Sequence, residues 1–245
     1  MQKPHIFLFL FLISSHIFGQ VNIEQYRNDT GSLEKKYHQH INITSSIKRS
    51  TVSLYSIGLK YFKPFYLTNA KGFFISKINY GESNGSEYLN DTFYHLRIIS
   101  SKTIFKVIPE AFLQYENNEF SLTSQRYLAG IGVRYQYGET TNGTSIINEW
   151  YQESSGIGRL NNWRLSQYIK FRFKFNKTNK IDSTIYIQPS IIDFSNIRYY
   201  SENTYISQIT DAISYNSSLT AKFFSKSSDY NKVELFFDSG LQFKI

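Results

Sequence analysis

From about residue 37 to the end of the chain, apolar and polar side chains alternate one for one over runs of nine to thirteen residues. Successive side chains of a strand point to opposite faces, whereas a helix would scatter the same residues around its axis. The last segment is the cleanest. Val233, Leu235, Phe237, Leu241, Phe243 and Ile245 share one parity, and Glu234, Asp238, Gln242 and Lys244 the other. The runs Arg126–Tyr137, Leu165–Phe175 and Ile213–Phe223 repeat the pattern. Strands of soluble proteins usually stop at about five or six residues, and a tilted strand crosses a bilayer in roughly 9 to 11. The length of these runs therefore predicts an all-β fold, a transmembrane antiparallel up-and-down β-barrel of about twelve strands.

Composition agrees with that reading. The chain has 20 Tyr, 21 Phe and 2 Trp but only 41% apolar residues, too few for a bundle of membrane helices. The modest total follows if half of each strand faces a wet lumen. With no Cys, disulfide scaffolds, zinc–thiolate sites and thiol catalysis are excluded.

At the start, Lys3 precedes the apolar run Ile6–Ile13 and the small or turn-prone Ser14, Ser15 and Gly19. This is the pattern of a secretory signal peptide over 1–20, too short for a membrane anchor. Its removal takes Lys3, leaving 27 − 1 − 19 = +7. Residues 21–36 then form a periplasmic lead-in and 37–245 the barrel.

Strands are expected at 37–48, 51–62, 72–82, 89–101, 105–116, 122–137, 144–153, 163–175, 183–193, 197–209, 212–225 and 232–245. Asn84-Gly85, Asn117-Asn118 and Asn142-Gly143 read as tight turns and 155–158 as a loop. The stretch 63–71 is left unassigned. Pro109 and Pro189 fall within strands on the outward parity; proline cannot donate to a ladder, so bulges or bends near a rim are expected there.

The polar parity would place Lys106, Glu110, Gln114, Glu116, Arg126, Arg134, Gln136, Lys170, Arg172, Lys174 and Lys222 in the lumen. Glu110 on the fifth strand could pair with Arg134 or Arg126 on the sixth and hold the register. The functional alternative is a basic constriction that selects anions. Tyr61, Tyr80, Tyr115, Tyr137, Trp150, Trp163 and Tyr199 sit near strand ends, where an amphipathic ring suits the boundary between hydrocarbon and headgroups. Gly130 and Gly132, on the lumen parity, leave room for bulky neighbours.

Chemical motifs are sparse. His38-x-His40 shares one strand face but lacks an evident third metal ligand, and His95 has no nucleophile motif beside it. Lys and Arg are dispersed and form no nucleic-acid stripe. No cofactor and no nucleic-acid partner are expected.

The stretch 110–137 carries Phe112, Gln114, Asn118 and Phe120, then Arg126, Leu128, Ala129, Gly130, Gly132 and Arg134 in an Arg-x-Leu-Ala-Gly-x-Gly-x-Arg frame. It resembles the salt-induced outer membrane proteins, a barrel family of unknown function, in its Bacteroidetes branch. The segments VNIEQYR, YIKFRFKF and IYIQPSIIDFSNIRYYSE extend the resemblance over nearly all of the chain after the leader. It implies the outer membrane as location, barrel-assembly machinery and outer-membrane lipid as partners, and no particular activity. Leu241, Phe243 and Ile245 would form the C-terminal assembly signal, with Ile245 where such strands usually end in Phe.

The expectation is a monomeric barrel with periplasmic termini that acts as a narrow passive channel or a structural envelope protein. Two alternatives stand beside it: an outer-membrane lipid-modifying enzyme using His95, and a secreted soluble β-sandwich binding module.

Overall fold

The computed structural model describes residues 39–49, 53–118, 123–153, 158–226 and 233–244. The leader, the lead-in, His38 and Ile245 lie outside them. The described chain runs as β1 (His40–Arg49), β2 (Ser53–Leu67), β3 (Ala70–Ser83), β4 (Ser86–Ser100), β5 (Ile108–Asn118) and β6 (Thr123–Tyr137), followed by β7 (Thr140–Glu153), β8 (Arg159–Lys174), β9 (Asn179–Pro189), β10 (Ile197–Gln208), β11 (Ile213–Phe224) and β12 (Val233–Lys244). Each strand pairs antiparallel with its sequence neighbours, and β1 pairs with β12, so the sheet closes on itself. A single closed sheet overturns the β-sandwich alternative. Closure also abolishes the open edges that would otherwise invite aggregation.

The alternation fixes which face is which. Ile57, Leu59, Leu113, Ile131, Leu235 and Phe237 are exposed on the outer wall, while the other parity is buried inside. An apolar outer band of this extent far exceeds the few hundred Å² that soluble monomers tolerate.

Several boundaries differ from the sequence reading for identifiable reasons. The unassigned 63–71 continues β2 to Leu67, turns at Thr68-Asn69 and opens β3 at Ala70. Asn84-Gly85 is a turn, with φ of 49° and 79° matching the doubly left-handed hairpin type. Asn142-Gly143 is not a turn. It lies inside β7, paired with Tyr135 and Arg134, and the chain reverses at Gly138-Glu139, where Gly138 takes φ 55°. Asn117-Asn118 is not a turn either: both residues are paired at the end of β5, and 119–122 lie outside the described residues.

Pro109 and Pro189 lie near the rims as expected, but neither is at a bulge; the register shifts fall at Gly81/Glu82 and Thr123/Gln125. Pro109 pairs with β6 alone, since the β4 ladder starts at Glu110. Pro189 pairs with β10 alone, the β8 ladder having stopped at Ile187. Each proline thus spends its missing N–H where one ladder has ended.

The closing seam is short. β1 and β12 match over five pairs, His40↔Lys244 to Thr44↔Gly240, whereas β1 and β2 match over ten. At Gly240 a Cβ would stand 2.5 Å from the Ile43 carbonyl oxygen, so glycine there lets the strands meet. The His40/Lys244 end is called the termini end below.

Candidate functional site

Eight strands enclose just enough room for side chains and sixteen leave an aqueous channel; with twelve, side-chain size decides what remains. Much of this lumen is filled, against the expectation of a wet interior. Phe62, Phe73, Ile75, Phe93 and Ile99 pack together from β2–β4. Phe112, Leu128 and Ile147 pack from β5–β7, and Tyr168, Tyr186 and Tyr200 from β8–β10. Glycines make the room. A Cβ on Gly130 would meet the Phe112 ring at 2.4 Å, and one on Gly143 the Tyr168 ring at 2.1 Å.

Above this apolar arc, toward the end opposite the termini, lies a buried ionic network. Glu149 accepts from Arg126 Nε at 2.5 Å and from Arg164 Nε at 2.6 Å, and Arg198 Nη1 also reaches it. Arg164 further donates to the carbonyls of Gln188 and Asn196, both at 3.1 Å. Arg198 stacks over Tyr151, 4.4 Å from the ring centroid. A buried carboxylate is tolerable only when paired; here three guanidiniums from β6, β8 and β10 converge on one.

The same wall continues toward the termini end. Glu110 pairs with Arg97 on β4 at 2.7 Å, so its recorded ion pair is with the opposite neighbour from the one expected. Arg126 instead meets its register partner Glu116 at 3.5 Å. Arg97 Nε donates to His95 Nε2 at 3.2 Å, which leaves Nδ1 as the donor to Gln114 Oε1 at 3.0 Å. His95 is 1% exposed and stacks on Phe73, Phe93 and Phe112. Buried and engaged at both nitrogens, it presents neither to a substrate. Among the described residues no group of three His, Asp or Glu could hold a metal ion.

Opposite this packed wall, β1–β5 and β10–β12 enclose a polar cavity of about 110 Å³. Lys60, Lys77 and Lys222 line it, balanced by Asp91, Glu202 and Asp238. Lys77 and Asp238 meet at 3.2 Å across the seam side. Glu202 accepts from Tyr200 at 2.6 Å and from Thr204 and Ser218 at 3.1 Å. A second cavity, about 230 Å³, opens at the termini end beside Arg172, Lys174, Lys177, Lys180, Gln242 and Lys244. Asn216 lines the first and Gln242 the second, and Asn216 Nδ2 donates to Gln242 Oε1 at 2.6 Å. That hydrogen bond joins a lining residue of one cavity to a lining residue of the other.

The predicted residues divide accordingly. Glu110, Gln114, Arg126, Arg134 and Lys170 are buried inside, in the packed part rather than along the cavities. Arg172 pairs bidentately with Asp182 at 2.6 Å, and Lys174 stands at the mouth with Glu139 at 2.5 Å. Lys106, expected in the lumen, sits exposed on the β4–β5 loop outside it. Ile104 and Val107 form an isolated bridge there, with Phe105 and Lys106 at φ 49° and 67°, so β5 starts three residues later than its alternation implied.

On the outer wall Tyr115, Tyr127 and Trp150 are successive register partners, with Tyr94 beside Tyr115, and form one lateral row toward the far end. Tyr80 and Trp163 also lie on the outer parity toward that end, and Tyr137 ends β6 at the other. Tyr61 donates to Gln39 at 2.6 Å, and Tyr199 is half-buried against Phe223. Leu241 pairs with Ile43 and Phe243 with Ile41 at the seam. Sequence reasoning missed the cavity residues Lys60, Lys77, Asp91, Glu202 and Asn216; each occupies the inward parity, the only signal available.

These features define a closed twelve-stranded barrel with an apolar outer wall and a lumen packed on one side and polar on the other. No family model and no curated protein matches the chain. Among solved structures it is similar to a NanC porin, with 14% identity and a TM-score of 0.50 over 85% of this chain and 100% of that one. A KdgM porin follows at 9% identity and TM-score 0.46 over 85% and 98%. At 14% identity the likeness to the NanC porin shows the fold alone.

Proposed function

We propose that the chain is an outer-membrane barrel that conducts small polar solutes through a narrow, eccentric path. The observation that carries this is the pair of polar cavities whose linings are joined by the Asn216–Gln242 hydrogen bond, which we read as the neck of the path, beside a lumen wall that is otherwise packed. The outer apolar band, with its row of Tyr and Trp, suits hydrocarbon bounded by headgroups. Export by the leader, periplasmic termini, handling by the assembly machinery, a monomeric state and kinship with the salt-induced outer membrane proteins belong to the same proposal.

Planar-bilayer recording of the purified chain tests it. A small steady conductance is expected, rising when Asn216→Ala and Gln242→Ala are combined to widen the neck. Absence of current from both the parent and the double variant overturns the reading.

A further inference from the structure

We infer that the termini-side mouth is a binding site for a small oxyanion of charge two or more, phosphate being its simplest member. The mouth cavity of about 230 Å³ is several times the roughly 30 Å³ that one water occupies in the liquid, which leaves room for such an ion and part of its shell.

Five cationic side chains line it: Arg172, Lys174, Lys177, Lys180 and Lys244. No carboxylate does. Three acids stand beside the lining: Asp182, which grips Arg172 at 2.6 Å and also faces Lys180; Glu139, which holds Lys174 at 2.5 Å; and Asp211, 3.5 Å from the lining Gln208. Five cations against those three carboxylates leave an excess of two (5 − 3). Lys177, Lys180 and Lys244 add to the positive potential, the first two from the β8–β9 turn and the start of β9, the third from the end of β12.

The turn carrying Lys177 is preformed. Asn176 Oδ1 accepts from the backbone N–H of Thr178 at 2.9 Å and of Asn179 at 2.7 Å, so little ordering is required when an anion arrives. Thr178, Ser214 and Gln242 add neutral donors to the lining. The inner cavity differs, since its three lysines face three carboxylates. Anion selection consequently resides at the mouth and not along the path. The inference rests on the channel reading only for the route by which the ion arrives; binding itself does not require conduction.

The test uses the full chain in detergent micelles, titrated with inorganic phosphate at constant ionic strength and followed by calorimetry. Saturable binding is expected, weakened at least tenfold in the triple variant Lys177→Gln/Lys180→Gln/Lys244→Gln. Lys106→Gln, on the same rim but outside the cavity, leaves it unchanged. A heated-versus-unheated gel shift verifies that each variant is folded. Unsaturable uptake, equal competition by chloride, or an unaltered triple variant overturns the site. In bilayers, phosphate added on the termini side reduces the current and phosphate on the other side does not. Block of equal strength from both sides also overturns it. A chain that carries no current but binds phosphate in micelles fails the channel reading alone.

Discussion

Glu149 Oε2 and Arg164 Nε are 2.6 Å apart, and neither side chain has any exposed surface. The pair is the centre of a cluster in which Glu149 is the shared acceptor for Arg126, Arg164 and Arg198. Strands β6, β7, β8 and β10 are tied across the lumen by one carboxylate.

Removing that carboxylate leaves three guanidiniums facing one another in a closed space. Breaking a buried pair by deleting one partner costs roughly 3–5 kcal/mol. Glu149→Ala is expected to lose at least that much, read as a lower urea midpoint for the folded, unheated gel band. Glu139→Ala, at an exposed pair, should shift the midpoint by no more than about 1 kcal/mol.

Gly143 holds its place because the Tyr168 ring lies where a side chain would begin, 2.1 Å from the position of a Cβ. Gly143→Val is expected to displace that ring from its tilted contact with Tyr186 (5.3 Å between centroids) and to cost about 1–3 kcal/mol. Tyrosine fluorescence and the urea midpoint report both effects.

Phe105 and Lys106 occupy left-handed backbone that non-glycine residues seldom adopt, and Phe105 is 96% exposed. Such strain costs on the order of 1–3 kcal/mol per residue. Phe105→Asn with Lys106→Gly supplies the residues this turn favours and should raise the urea midpoint. An unchanged or lower midpoint would mean that the Phe105 side chain stabilises the loop.

On the opposite rim, Asp193 accepts from Lys226 Nζ at 2.6 Å and from Ser195 Oγ at 2.6 Å. The Lys226 hydrogen bond, followed by that of Ser195, lowers its carboxyl from the usual 3.8 to about 2. A depressed folded-state pKa contributes stability above the ordinary value, lost as pH falls through the folded one. The loop between β9 and β10 should therefore become protease-sensitive between pH 3.8 and about 2. Asp193→Asn should be equally sensitive across that window. Limited digestion with an acid protease measures both.

The wall was legible because period two is imposed by the backbone, and β6 shows why it suffices. Arg126 and Arg134 point inward, and Tyr127, Ile131 and Tyr135 outward, as their parity implies. What fills the lumen was less legible. Phe112 and Tyr168 share parity with Glu110 and Lys170, so alternation alone counts them as positions for polar residues. Gly130 correctly signalled a bulky neighbour, whereas Gly143, preceded by Asn, imitated a turn. The Arg198–Glu149 contact joins β7 to β10 across the interior, and no local pattern encodes a contact between strands that are not neighbours. Lys106 went astray because an exposed two-residue turn happened to preserve the alternation.

The seam between β1 and β12 has a consequence for synthesis. Its outermost pair joins His40 to Lys244, positions 204 apart (244 − 40), and its five matches use residues 240–244 on one side. No part of that ladder can form until residues 240–244 have been delivered. Closure thus hangs on one five-residue stretch: without 240–244 the remaining strands can pair with their neighbours and still form an open sheet, with unpaired backbone at both edges, a state that hydrocarbon does not accommodate.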